Sequence, residues 1–204
     1  MNKKEKTDFI LKTLNKYFPH PKVFLKAPND FCFLISVLLS AHTTDNIVNK
    51  VTPELFKKAK TPKKMSTLSI QEIEKIIKPC GLSKRKAKGV LGVSKIIQEK
   101  YRGKIPDNFS DLEALPSVGH KTASVIMAFV FKKDAFPVDT HITRLAKRWH
   151  LSSGKSIKKI EEDLKKNFPK NTWRKLHLQM IYFGKNYCKA RGHKKSDCPI
   201  CSSI

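Results

Sequence analysis

Residues 111–126, DLEALPSVGHKTASVI, decide how the rest of the chain is read. Leu112 and Leu115 form a short helical stripe, Pro116 and Gly119 punctuate it, and an apolar helical run starts after His120. The pattern is helix, short turn, helix. The turn of Pro116, Ser117, Val118 and Gly119 is too small for a side-chain site, but it exposes backbone N–H groups ahead of a helix N-terminus. That combination binds a phosphate oxygen without using base identity. A plain helix–helix connection is the commoner use of so short a turn. The two cations that follow, His120 and Lys121, stand where the helix dipole disfavours positive charge. A lysine held there, near other cations, should give up its proton more readily. The neutral amine is a nucleophile able to form a Schiff base with a carbon at the aldehyde oxidation level. Beside a DNA phosphate that carbon is the sugar C1′. Simple pairing of Lys121 with a phosphate accounts for the residue equally well.

Composition points to the same kind of partner. Among 204 residues, 42 Lys or Arg face 17 Asp or Glu, a formal net charge of +25. Such an excess destabilises a compact chain by self-repulsion unless a polyanion relieves it. Nucleic acid and an anionic membrane surface are the candidates. No run approaches the ~20 apolar residues of a membrane span, and the start MNKKEKTDFILKTL carries no apolar stretch behind its basic residues, as a secretory leader would. The expectation is a cytoplasmic, nucleoid-associated nucleic-acid binder with no membrane partner. Between Lys84 and Lys104 eight Lys or Arg accompany one acidic residue, Glu99, and a second basic cluster spans 185–195. Charge runs are usually solvated faces, but at this net charge they read as phosphate contacts.

Apolar spacing is helical almost throughout, with no alternating strand pair. Helices are predicted over 4–17, 31–39, 46–51, 54–59, 70–78, 85–101, 109–115, 120–131, 140–149, 157–167 and 173–187. Pro53 is expected to divide one long helical pattern into two. FCFLISVLLS and KTASVIMAFVF are apolar on nearly every face, which places them at the centre of a bundle. The fold class is all-α.

Eighteen residues after Lys121, in FPVDTHITRLAKRW, Asp139 precedes an amphipathic helix. Asp139 or Thr140 can serve as its N-cap. A carboxylate here can also stabilise positive charge developing on a sugar as a glycosidic bond breaks, or move protons to and from a lysine adduct.

LPSVGHKTAS and VDTHITRLAKR, together with VLLSAHTTDNIVNKVTPELF and CGLSKRKAKGV, resemble the helix-hairpin-helix DNA glycosylase superfamily, and within it the endonuclease III family. The match runs through nearly the whole chain in one order. The resemblance implies a bilobed all-α enzyme with DNA in the cleft between lobes. One lobe is a six-helix barrel over 21–131, including the helix-hairpin-helix at 109–131; the other joins 1–20 to 132–204. It implies that Lys121 is the nucleophile, Asp139 its catalytic partner, and the partner double-stranded DNA with damaged bases or abasic sites, bound by a monomer. The reaction needs its nucleotide outside the stack. The resemblance assigns the vacated space to His42, where the family usually has glutamine, and to Leu82 as an apolar wedge, with Lys84 and Arg85 beside it on DNA. By the residues alone, His42 can simply end a buried helix and Leu82 can be core.

The chain departs from the family pattern in three places. Ser117 replaces a turn glycine, which requires φ below zero or some strain. His120 replaces an arginine and lacks its permanent charge. The family's [4Fe–4S] cysteines follow C-x6-C-x2-C-x5-C, whereas Cys188, Cys198 and Cys201 are spaced C-x9-C-x2-C with no fourth cysteine after them. This 188–204 segment reads as a degenerate cysteine loop. Loss of the cluster is the first reading. The second is zinc on Cys188, His193, Cys198 and Cys201; the third is a cluster with a non-cysteine ligand. Cys32 and Cys80 are expected to be buried apolar residues. The expected function is a bifunctional N-glycosylase and abasic-site lyase acting on oxidised pyrimidines, needing no cofactor for catalysis. A monofunctional glycosylase for mispaired or alkylated bases and a non-catalytic DNA-binding module are the alternatives.

Overall fold

The computed structural model describes residues 1–204 and is helical throughout, with eleven α-helices and no strand. No helix is long and apolar enough to cross a membrane. The chain forms two compact units, Val23–Lys132 and the pair of segments Met1–Lys22 and Lys133–Ile204.

The continuous unit holds α2 (Asp30–Leu39), α3 (Asp45–Lys58), α4 (Pro62–Ser66), α5 (Ile70–Ile77), α6 (Ser83–Lys100), α7 (Phe109–Glu113) and α8 (His120–Phe129). The all-apolar stretches sit where their composition demands. In α2 every residue but Asp30 and Phe33 is buried, and Ala123 through Ala128 of α8 are buried against it. Asparagine, serine or threonine caps start α2 to α5 and α7, each side chain accepting a backbone N–H three residues on.

Pro53 does not divide the third helix: α3 runs through it unbroken. The proline removes one backbone bond, to the Asn49 carbonyl, a cost of about 3 kcal/mol. Val48, Val51, Thr52, Leu55 and Phe56 bury one common face on both sides of it, so ending the helix at Pro53 would forfeit more packing than the lost bond. Between the helices expected over 54–59 and 70–78 the chain adds α4, with Thr61 as N-cap and Pro62 in the first turn, where its missing N–H costs nothing.

The discontinuous unit holds α1 (Lys3–Tyr17), α9 (Thr140–Arg148), α10 (Ile157–Asn167) and α11 (Trp173–Asn186). Gln179 of α11 donates to the Asn15 side chain and the Phe18 carbonyl, both at 2.9 Å, which ties α1 to it. Trp149 and Phe183 are fully buried edge-to-face, ring centres 5.6 Å apart. Truncating either to alanine costs about 3–5 kcal/mol.

Candidate nucleic-acid interface and metal-binding loop

Asn108 caps α7 by accepting the Asp111 N–H at 2.9 Å, and Leu112 and Leu115 anchor the turn in the core. The Val118 N–H closes the turn on the Leu115 carbonyl at 3.1 Å, and the Val118 side chain is buried. Pro116 has no N–H. Of the donors expected across 116–119, the Ser117 and Gly119 N–H groups remain, joined by those at the start of α8, whose hydrogen-bond ladder opens only with Ala123 N–H to the Gly119 carbonyl. Ser117 adopts φ +62, so the serine sits in the strained left-handed region. Gly89 and Gly92 of α6 let the turn approach: a Cβ on Gly89 would lie 2.7 Å from Ser117 Oγ, and one on Gly92 would lie 3.0 Å from Pro116 Cγ.

Lys121 is the second residue of α8 and is exposed, and the first turn of α8 carries no acidic residue. His120 is engaged within the hairpin. Its Nδ1 lies 2.7 Å from Glu113 Oε1, and its ring stacks on Phe109 with centres 5.5 Å apart.

The two further loops of this unit share a backbone oddity. His42 (φ +54) and Leu82 (φ +49) are both left-handed and exposed, Leu82 to 59 %. Neither is core, and for such residues this conformation costs about 1 kcal/mol or more. Lys86, buried on α6, holds the loops together: its Nζ donates to Thr43 Oγ1 at 2.5 Å and to the Cys80 carbonyl at 2.8 Å, and Thr43 also donates to that carbonyl. Burial pushes the Lys86 ammonium below its ordinary range, partly countered by Cys80. Exposed Lys84 and Arg85 follow Leu82, and with Lys88, Pro116 and Ser117 they line a groove of about 710 Å³.

In the discontinuous unit Asp139 caps α9, accepting the Ile142 N–H at 2.8 Å, which decides between it and Thr140. The preceding Pro137 and Val138 are buried, and buried His177 meets the Pro137 carbonyl at 2.8 Å. Asp139 is thus a rigidly seated, half-buried carboxylate.

Cys188, His193, Cys198 and Cys201 come together with their ligand atoms all within 4.8 Å of one another, so the four can hold a metal ion. Arg144 donates to the Gly184 carbonyl at 2.9 Å and the Cys188 carbonyl at 3.1 Å; Arg148 donates to the Lys189 carbonyl at 2.6 Å and approaches Cys188 Sγ at 3.4 Å. Cys32 and Cys80 are buried in the other unit and belong to no such group.

Sequence reading missed Lys86, Arg144 and Arg148. Lys86 falls within the basic run from Lys84 to Lys104 but shares a helical face with buried Val90, Val93 and Ile97. The two arginines lie four apart on α9, but their targets lie some forty residues on.

The chain belongs to the HhH-GPD superfamily of base excision DNA repair proteins, whose model matches residues 35–170. Among individual proteins, it is similar to the Endonuclease III of Buchnera aphidicola subsp. Acyrthosiphon pisum, at 41 % identity over 98 % of this chain and 94 % of that one. Among solved structures, it matches a non-covalent Endonuclease III–DNA complex with TM-score 0.94 and 36 % identity, over 99 % of this chain and 95 % of that one. A trapped Endonuclease III–DNA covalent intermediate matches with TM-score 0.92 and 36 % identity, over 98 % and 94 %.

Proposed function

We propose that the protein is a bifunctional DNA N-glycosylase and abasic-site lyase of base excision repair, acting as a monomer on oxidised pyrimidines in double-stranded DNA of the cytoplasmic nucleoid. The carrying observation is the placement of Lys121, exposed in a first turn without acidic residues, directly after a hairpin turn. Gly119 supports it: its φ is −93 and a Cβ there would meet nothing within 4 Å, so neither backbone nor packing requires glycine. A bare backbone is what close approach of a phosphate needs.

In the reaction, neutral Lys121 Nζ attacks C1′ of the damaged nucleotide, and the bond from C1′ to the base breaks with its electron pair leaving on the base. Asp139 stabilises the positive charge that develops on the sugar and relays protons from the new ammonium to the ring oxygen as the sugar opens to a Schiff base. Loss of a C2′ proton then expels the 3′ phosphate by β-elimination, and water releases the lysine. His42 and Leu82 occupy the space the nucleotide leaves, with Lys84, Arg85, His120 and the hairpin from Pro116 to Gly119 on or beside the backbone. Amine and carboxylate carry every step, so the C-terminal donors serve structure.

Borohydride reduction of the protein on an abasic-site duplex tests the reading. Wild type traps a covalent complex and Lys121→Ala traps none, while Asp139→Asn slows base release by about 10²–10⁴-fold. Undiminished trapping by Lys121→Ala would remove Lys121 from the role. Base release by wild type without trapping would replace the lyase by a monofunctional glycosylase. Duplexes each carrying one oxidised pyrimidine define the substrate.

A further inference from the structure

The family resemblance implies a [4Fe–4S] cluster at the C-terminal loop, and the residues there do not fit one. A cubane of this kind places a separate iron beneath each of four thiolates, which sets its ligand atoms well apart around an eight-atom body. Here one of the four donors is an imidazole, and all four ligand atoms lie within 4.8 Å of one another. The Sγ atoms of Cys188 and Cys201 stand 3.8 Å apart. A tetrahedron built on a zinc–sulfur bond of about 2.3 Å has an edge of about 3.8 Å.

We infer that Cys188, His193, Cys198 and Cys201 form a mononuclear tetrahedral zinc site in place of the cluster. The surroundings are those of a closed structural site. The three cysteines are 0 %, 1 % and 4 % exposed, and Nε2 of His193 is buried with no hydrogen-bond partner. A buried nitrogen without a partner is costly in an empty loop and is satisfied by a bond to a metal. The Cys201 N–H points at Cys198 Sγ, 3.5 Å away, as fits a two-residue spacing wrapped around one ion. Three thiolates on a divalent ion leave one net negative charge after release of the thiol protons to solvent. Arg148 Nη1, 3.4 Å from Cys188 Sγ, offsets it, and Arg144 and Arg148 on the carbonyls of Cys188 and Lys189 fix the loop that brings the first ligand in. A segment that had merely lost its cluster would have no reason to converge four donors. Zinc restores the brace with a metal that has no redox chemistry of its own.

The inference stands apart from the catalytic reading, because its readout is metal content. The full chain, purified without chelator from cells supplied with both iron and zinc, is assayed for zinc, iron and acid-labile sulfide. About one zinc per chain, a colourless protein and no sulfide are expected. Replacement by cobalt should give the visible bands of a tetrahedral thiolate complex. His193→Ala and Cys201→Ser should lose the metal, His193→Cys should retain zinc, and Arg148→Met should weaken it about 10- to 100-fold. Cys32→Ser and Cys80→Ser should leave it untouched. Iron with stoichiometric sulfide would overturn the inference, as would a metal-free protein whose melting temperature does not respond to added zinc.

Discussion

At Ser117 two demands collide. The left-handed turn position suits glycine, yet the serine side chain fills the space above Gly89, so each residue constrains the other. Gly89→Ala alone should cost about 1–3 kcal/mol by overpacking. Ser117→Gly alone should change stability by less than about 1 kcal/mol, strain relief being offset by a looser unfolded chain. Together they should be favourable, because the clash disappears and helical alanine exceeds glycine by about 1 kcal/mol. Urea denaturation of the four species measures the coupling; additive effects would contradict the contact. Gly119 is the opposite case, with open space and an ordinary φ. Gly119→Ala should cost about 1 kcal/mol or less, the N-cap preference for glycine over alanine, and weaken DNA binding about tenfold, one charge-assisted backbone contact. Equal affinities in a fluorescence anisotropy titration would count against phosphate at this turn.

At the scale of elements, α6 joins the exposed loops through Lys86. Its ammonium is easier to deprotonate in the fold than in the unfolded chain, so the unfolded state binds more protons just below the ordinary lysine value. Lys86 therefore adds stability as pH rises toward about 10.4 and withdraws it as pH falls. Lys86→Met should flatten the pH dependence of unfolding in that alkaline range, while Thr43 still reaches the Cys80 carbonyl. It should also slow base release, since the loops of His42 and Leu82 lose their common tie; an unchanged excision rate would separate Lys86 from those loops. This tie shows where sequence reading stopped. Amphipathic helices and the hairpin were legible because their causes lie within a few residues, whereas the choice of Asp139 over Thr140 as the cap of α9 was left to the fold. The unbroken helix through Pro53 depended on packing from outside its own segment. Lys86 looked solvated because its acceptors, the Cys80 carbonyl and Thr43, meet it only in the fold. The cysteine loop was legible as a donor set, but convergence of the four ligands is a property of three dimensions.

Across the whole molecule the +25 charge sets the terms of DNA binding. The logarithm of the binding constant should fall linearly with the logarithm of salt, by about 0.9 for each phosphate contacted. Lys84→Ala should reduce that slope by about one while leaving lesion preference unchanged; an unaltered slope would take Lys84 off the backbone. The discontinuous unit has a different consequence, in the order of synthesis. Residues of α1 leave the ribosome early, but Gln179, which secures Asn15 and Phe18, follows more than 150 residues later. The intervening unit, Val23–Lys132, can close on itself meanwhile. The first helix of the chain must therefore wait, half-apolar and unhoused, and a nascent chain arrested before α11 exposes Ile10 and Leu14 to chaperones and proteases.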